Sequence, residues 1–503
     1  MKTFIFLLLS ILVPFSQSFA THKSDADTGI IKGRVVDRET NEPLGFVYLH
    51  LQEIHHAVAA RANGTFTFEH IPAGTYTLSA SRIGYKTLSQ LVTVNAGDTT
   101  QVIISLKTSV LISEGVEVVG RQSHLGMGIE DASVTVSGAE LRQNLGTTLA
   151  GTLSEIPGFS SRSMGSAPSR PIIRGLGGAR VLILQDGRRT GDVSSQSADH
   201  AVTVDPVTAE KIEIARGPAA LQYGSNAIGG VVNVVRNQIS AVQPDHIHGT
   251  ASLQGKSVNS GAVAAFEAAA PLAEGFALKF DANLRSARNM RTPVGPLTNS
   301  GLLSSNSVLG ISYIKPWGYA GASAGMYFNR YGIPSDEHSG HEQGVDIEMR
   351  KYKLAGKTEV LFDDPFFKSL EADLSYKDYY HREVEGNGET GTEFGLLTTD
   401  FSAVIHHNGL FDEGKIGIWG EISDYSVNGT RTPDSRAYSA AAFLIEEKDF
   451  GALHLEAGAR LNMVTILPEE NPSSSIEDIR NRNFTGLATS ASAVYDFGSG
   501  FHA

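Results

Sequence analysis

From residue 238 onward the chain falls into segments of about ten residues in which apolar and polar side chains alternate. Phe276, Leu278, Phe280, Ala282 and Leu284 interleave with Lys279, Asp281, Asn283 and Arg285. Likewise Leu453, Leu455, Ala457, Ala459 and Leu461 interleave with His454, Glu456, Gly458 and Arg460. Successive side chains of a strand point to opposite faces, so each segment predicts a strand with one oily and one charged face. About twelve strands are expected, beginning near His248, Val263, Phe276, Ser307, Tyr319, Val345, Leu370, Leu396, Ile416, Ala437, Leu453 and Thr485. A half-buried soluble sheet has the same period, so the connections have to distinguish the two. Every second connection is short: Leu272 to Gly275, Pro316-Trp317, Asp363 to Pro365, Gly409 to Gly414, Glu447 to Phe450 and Gly498 to Gly500. Most of the others are longer and polar, including Ser286 to Ser305, Gly332 to Gly344, Arg382 to Gly391 and Pro468 to Asn483. Short turns on one side and long loops on the other predict a transmembrane antiparallel β-barrel with its long loops facing outward.

Ahead of this region the pattern differs. Between Ile30 and Leu106, short apolar runs alternate with turn signals at Thr40 to Pro43, Asn63-Gly64, Pro72 to Gly74 and Ala96 to Asp98. Phe66 and Phe68 share one face, as do Tyr76, Leu78 and Ala80, which predicts a small antiparallel β-sandwich. The one long apolar stretch is Phe4 to Val13, after Lys2 and before the small residues Ser18 and Ala20. That is the layout of a secretory signal, with the mature chain beginning near Thr21. Nothing else approaches the roughly 18 to 20 apolar residues of a membrane-spanning helix.

Composition narrows the function. Without cysteine there are no disulfides, thiolate metal ligands or cysteine nucleophiles. With 54 acidic against 41 basic residues the net charge is -13, the wrong sign for a nucleic-acid binder. No catalytic triad, paired-carboxylate cleft or phosphate loop is present, and an enzyme is not expected. Gly175-x-Gly177 follows a strand, but Arg180 stands where a dinucleotide loop needs its third glycine and no βαβ unit follows.

Several segments resemble known families. G-x-V-x-D near Gly33, and the run from Gly64 through Ile71-Pro72, Gly74, Tyr76 and Ser81 to Gly84-Tyr85, resemble the regulatory-like sandwich domain of carboxypeptidases. No zinc-protease motif accompanies it. The blocks Val134 to Arg162, Arg170 to Arg189 and Val204 to Val235 resemble, in order, the plug domain of TonB-dependent outer-membrane receptors. Within them Ser137 and Glu140 have the spacing of a helix capping box. The organisation expected is a signal peptide at 1–20, a sandwich at 29–107, a linker at 108–120, an α+β plug at 121–237 and a partial barrel at 238–503. The fold class is mainly β, and the cellular site implied is the outer membrane of a Gram-negative bacterium. A barrel enclosing such a plug needs on the order of 22 strands, so an N-terminal portion of a longer protein is expected.

The plug resemblance implies that Glu114, Gly115, Val116, Glu117, Val118 and Val119 form the segment captured by the TonB-type energy-transducing complex of the inner membrane. Such a segment must be extended to add as a strand to its partner's sheet. Ser197-Ala198-Asp199-His200 and Val204-Asp205-Pro206 resemble the zinc-uptake branch of these receptors, in which an adjacent Asp and His ligate metal. A loop carrying Asp336, Glu337, His338, His341 and Glu342 after Tyr331 to Pro334 resembles an external metal-gathering loop of the same branch. The resemblance implies a Zn²⁺ cargo and no catalytic cofactor. Imidazole and carboxylate suit zinc, and without thiolate they also suit copper or nickel. His454, Glu456 and Glu421 are expected to point inward as ordinary lumen polarity, and His55-His56, His381 and His406-His407 rank lower as ligands. An organic cargo such as a siderophore, cobalamin or glycan, or an adhesin anchored by its barrel, remain alternative readings.

Overall fold

The computed structural model describes residues 28–38, 43–44, 47–51, 54, 56–61, 63–81, 88–106, 134–224, 227–335, 344–408, 411–451, 453–469 and 479–495. The chain divides into two compact units, Met1–Glu114 and Gly115–Ala503.

The first unit is built from two sheets. One orders Thr65–Pro72, Thr28–Asp37 and Thr99–Leu106; the other orders His56–Ala59, Tyr48–Leu51, Gly74–Ser81 and Leu88–Val94. Their inner faces meet on Ile31, Val35, Leu49, Phe66, Phe68, Ile71, Leu78 and Ile104. The alternation of Phe66 and Phe68, and of Tyr76, Leu78 and Ala80, is that of the buried face. Two details differ from expectation. Thr28–Asp37 pairs with Thr99–Leu106 in parallel, so the sandwich is not purely antiparallel. Leu88–Val94 forms an additional strand.

In the second unit, a five-stranded sheet orders Arg188–Arg189, Val181–Gln185, Gly230–Val235, Lys211–Ala215 and Val134–Ser137. Val181–Gln185 and Gly230–Val235 are parallel neighbours, buried along their whole length and rich in Val and Ile, as two-sided burial requires. Short helices Gly138–Asn144 and Leu149–Leu153 pack Leu141, Leu149 and Leu153 on this sheet. Ser137 is the N-cap residue of the first helix, but its side chain makes no cap hydrogen bond, so the capping box does not form. Thr148 caps the second helix by accepting from Gly151 N at 3.1 Å.

A twelve-stranded antiparallel sheet follows, running in sequence order from His248–Lys256 to Arg482–Tyr495. Its strands reach 19 residues in Phe367–Glu385. Polarity is inverted relative to a soluble protein: Asp281, Asn283, Arg285, Lys351, Lys353, Lys377 and Asp400 are buried, while Phe280, Leu284, Leu309, Phe328, Leu354, Leu374 and Phe401 are exposed. Water would penalise such an apolar outer band at about 25 cal/mol per Å², whereas lipid would not. No helix among the described residues is long and apolar enough to cross a membrane. The expected polar loop at Arg382 to Gly391 is mostly strand, since Phe367–Glu385 and Thr390–His407 leave only four residues between them.

The inward charges fasten the plug to the wall. Arg236 pairs with Asp281, Arg188 with Asp373, and Arg285 with Asp205 at 2.8 Å. The Arg236–Asp281 and Arg285–Asp205 pairs are buried on both sides, with Asp373 partly exposed, and a buried charge left without its partner costs about 3 to 5 kcal/mol.

Candidate metal centre

One plug loop, residues 190–205, carries the Asp199-His200 pair. It begins at Gly191, whose φ of +64° and closeness to Lys377, with Cδ 2.5 Å from where a Cβ would lie, both require glycine. Asp192 then ties the loop together. Its Oδ1 accepts from Ser194 N at 3.1 Å and Ser194 Oγ at 2.5 Å, and its Oδ2 accepts from Thr203 N at 3.0 Å and Thr203 Oγ1 at 2.7 Å. Burial alone would push this carboxyl up; the Lys351 ammonium and these hydrogen bonds outweigh it and hold the group below its ordinary value of 3.8. Lys351 Nζ also donates to the carbonyls of Thr203 at 3.1 Å and Thr190 at 3.2 Å. From the wall, Tyr331 Oη donates to Asp199 O at 2.8 Å and accepts from Ala201 N at 2.9 Å, bracketing His200.

Opposite the loop stands the long strand Phe367–Glu385. Its odd-numbered residues face inward, which puts Tyr379, His381 and Glu383 in one column. Ligand atoms of His200, His381 and Glu383 lie within 4.8 Å of one another. His200 Nε2 is 3.5 Å from Glu383 Oε1 and 4.0 Å from Asp199 Oδ1, and His381 Nε2 is 4.0 Å from Glu383 Oε1. The imidazole centroids are 4.6 Å apart, and Phe394, directly across from His381, stacks on that ring at 4.5 Å and meets His200 edge-on at 5.1 Å. The His381 side chain is fully buried, whereas Asp199 is 30% exposed, so the cluster has a wet side and a dry side. On the wet side is a cavity of about 400 Å³ lined by Gln196, Ser197, Asp199, Glu383, Tyr425 and Thr430 among others.

Tetrahedral zinc at about 2.0 to 2.2 Å from each ligand needs ligand atoms about 3.3 to 3.6 Å apart. The separations of 3.5 and 4.0 Å are close to that requirement. Two carboxylates supply charge to balance a dication, and two imidazoles bias the set toward transition metals over magnesium or calcium. Burial pushes the His200 ring down, but the hydrogen bond to Glu383 and the nearby Asp199 charge outweigh it, leaving the group above its ordinary 6.5.

Asp199 and His200 are at the cluster. Asp336, Glu337, His338, His341 and Glu342 lie outside the described residues, as do Glu114 to Val119 and residues 1–20, where a signal peptide is expected. The strands flanking the 334–344 loop are described: Ile333 pairs with Val345, and Asn299 Nδ2 donates to both of their carbonyls. Val345 in turn pairs with Glu385, so this loop leaves the wall one strand from Glu383. His381, ranked low from sequence, is instead a central member of the cluster, and Glu383 was hidden in a segment expected to be loop. The spacing His381-x-Glu383 on an inward face is the signal that would have found them. His454 faces Asp449 at 2.8 Å and Glu447 at 3.9 Å near the Gly451 turn, at the opposite end of the barrel strands.

This arrangement defines a class: a plug domain locked by buried ion pairs to the inward-polar face of an antiparallel barrel sheet. Residues 129–231 match the TonB-dependent Receptor Plug Domain and residues 31–118 match the CarboxypepD_reg-like domain. The chain therefore carries a TonB-dependent receptor plug behind a CarboxypepD_reg-like domain. It is similar to the hemin receptor of Yersinia pestis, 40% identical over 86 residues, covering 17% of this chain and 12% of that protein. It is also similar to the vitamin B12 transporter BtuB of Vibrio vulnificus strain CMCP6, 35% identical over 107 residues, covering 21% of this chain and 17% of that protein. Among solved structures the copper transporter OprC shares the fold, with TM-score 0.63 and 16% identity, covering 76% of this chain and 62% of that one. The matched parts thus span less than a fifth of these curated relatives and under two thirds of that structure.

Proposed function

We propose that the chain is a TonB-dependent outer-membrane receptor that imports a divalent metal ion, zinc, into the periplasm. The observation that carries this reading is the convergence of Asp199 and His200 on the plug with His381 and Glu383 on the wall. A site that straddles plug and barrel is suited to gating, because cargo bound there contacts both the part that moves and the part that stays. The exposed Asp199 carboxylate receives the hydrated ion from the cavity, and exchange of water for His200, His381 and Glu383 draws it to the dry side. His200 releases its Nε2 proton to the water of the cavity as the ion binds, and the ion's new bonds to the 190–205 loop bias the plug toward a conformation in which Glu114 to Gly120 is available to the TonB-type complex. Work done through that contact then moves the plug and frees the ion inward.

A second reading, an organic ligand such as hemin or cobalamin, is favoured by what the similar plugs belong to. Zinc binding to the purified full-length protein, compared with an Asp199→Ala, His200→Ala double variant, separates the two. Micromolar or tighter zinc binding that disappears in the variant supports metal import. No zinc binding by the unaltered protein, with tight binding of an organic chelate, overturns it.

A further inference from the structure

The two imidazoles of the cluster are each engaged at Nδ1 by a group that faces away from the other ligands. His200 Nδ1 lies 3.3 Å from the carbonyl oxygen of Val193. A carbonyl only accepts, so Nδ1 carries a proton and Nε2, directed toward Glu383 and Asp199, is the nitrogen whose lone pair a metal ion would engage once any proton on it is displaced. On the wall, His381 Nδ1 lies 2.8 Å from Tyr379 Oη. Its Nε2 is buried without a hydrogen-bond partner, with Glu383 Oε1 4.0 Å away, beyond hydrogen-bond range. A buried ring nitrogen left in that condition costs about 1 to 3 kcal/mol, and an ion between the two rings relieves it.

We infer that Tyr379 is a positioning residue of the metal site, whose phenol oxygen accepts a hydrogen bond from the Nδ1–H of His381 and thereby fixes Nε2 as the ligand atom. The inference rests on the metal reading proposed above and assigns a role to a residue that does not itself touch the ion. Tyr379 suits the task because its ring is held. It is 1% exposed and packs in a cluster with Val193 and Ala201 of the plug loop and Tyr327, Tyr331, Ile347 and Met349 of the wall. Its ring meets His381 edge-on at 5.7 Å, so neither ring can turn without moving the other. The same cluster holds Val193, the residue that orients His200. Both tautomers are therefore set by one packed unit shared between plug and barrel. Its two polar outlets are the Val193 carbonyl at His200 Nδ1 and the Tyr379 phenol at His381 Nδ1. Of the two, only Tyr379 can be altered by substitution without changing the backbone.

Outer-shell partners of a metal-bound histidine typically contribute 10- to 100-fold in affinity. The test uses the full-length protein in detergent, with zinc affinity from competition against a chromophoric chelator and Co²⁺ as a spectroscopic probe of the ligand set. Tyr379→Phe keeps the ring and loses the oxygen. Its zinc affinity is expected to fall about 10- to 100-fold, with altered Co²⁺ d–d bands and unchanged heat-modifiable migration of the folded barrel. Equal affinity and an identical cobalt spectrum would overturn the role of Tyr379. The control is His381→Ala: if it binds zinc as well as the unaltered protein, the metal reading itself fails, whatever Tyr379 does. A measurement that needs no Tyr379 variant is ¹⁵N-histidine NMR of the unaltered protein with zinc, the His381 signal being assigned by its loss in His381→Ala. A proton on Nδ1 of His381 is expected, and a proton on Nε2 would overturn the inference.

Discussion

Asp192→Ala should weaken zinc binding although Asp192 touches no metal. The carboxylate accepts four hydrogen bonds, two from Ser194 and two from Thr203, and these close the loop that presents His200. Hydrogen bonds to a charged group contribute about 1.5 to 3 kcal/mol each, but four on one carboxylate share a single desolvation and do not add. Lys351, 5% exposed, would keep its carbonyl contacts and lose a nearby compensating charge. Leaving one of the four donors buried and unpaired costs about 1 to 3 kcal/mol, and at about 1.4 kcal/mol per decade the upper figure corresponds to roughly 100-fold. It appears as lost affinity because zinc must reorder the loop before it binds. Asp192→Asn should also weaken binding, since an amide nitrogen would face the N–H of either Ser194 or Thr203. The assays are zinc titration and hydrogen exchange of residues 190–205. Affinity within about threefold of the unaltered protein, together with unchanged exchange at Ser194 and Thr203, would refute the reasoning.

Acid should release the cargo. Protonation of His200 is favoured in the metal-free protein, so it stabilises that state below the ordinary value of 6.5, and this contribution is lost as pH rises through the raised value. Metal binding has the opposite dependence: below the raised value, affinity should fall about tenfold per pH unit for each proton displaced. A flat profile from about pH 5 to 8 would count against His200 as a ligand. Deleting Glu114 to Gly120 should abolish uptake of ⁶⁵Zn by cells while leaving binding to purified protein intact; uptake at the original rate would exclude that segment as the energy-transducing contact.

Much of this architecture was legible because a barrel wall in lipid repeats one simple rule. The twelve strands follow from alternation, and three of the six short connections, Leu272 to Gly275, Pro316-Trp317 and Asp363 to Pro365, lie wholly among described residues at or within two positions of where they were expected, whereas Glu447 to Phe450 still belongs to a strand. The rule misleads where strands leave the hydrocarbon region. There Arg382, Glu383 and Glu385 read as loop because both faces are polar, yet they continue the strand that carries His381. In the sandwich, Leu88–Val94 was passed over, and the parallel partnership of Thr28–Asp37 with Thr99–Leu106 is a long-range choice with no local signal. The site divided the same way. Asp199-His200 was found through its adjacency in a plug motif, whereas His381 and Glu383 lie far along the chain and join it only through tertiary folding. Nor did the sequence disclose that Tyr331, read as part of a loop motif, brackets His200 from both sides by hydrogen bonds.

Anomalous diffraction at the zinc absorption edge, from crystals of the full-length protein soaked in zinc, addresses the central claim directly. The account predicts a peak about 2.0 to 2.2 Å from His200 Nε2, His381 Nε2 and a Glu383 oxygen, with Asp199 or water completing the tetrahedron. A peak elsewhere, with these four side chains unchanged, would contradict it.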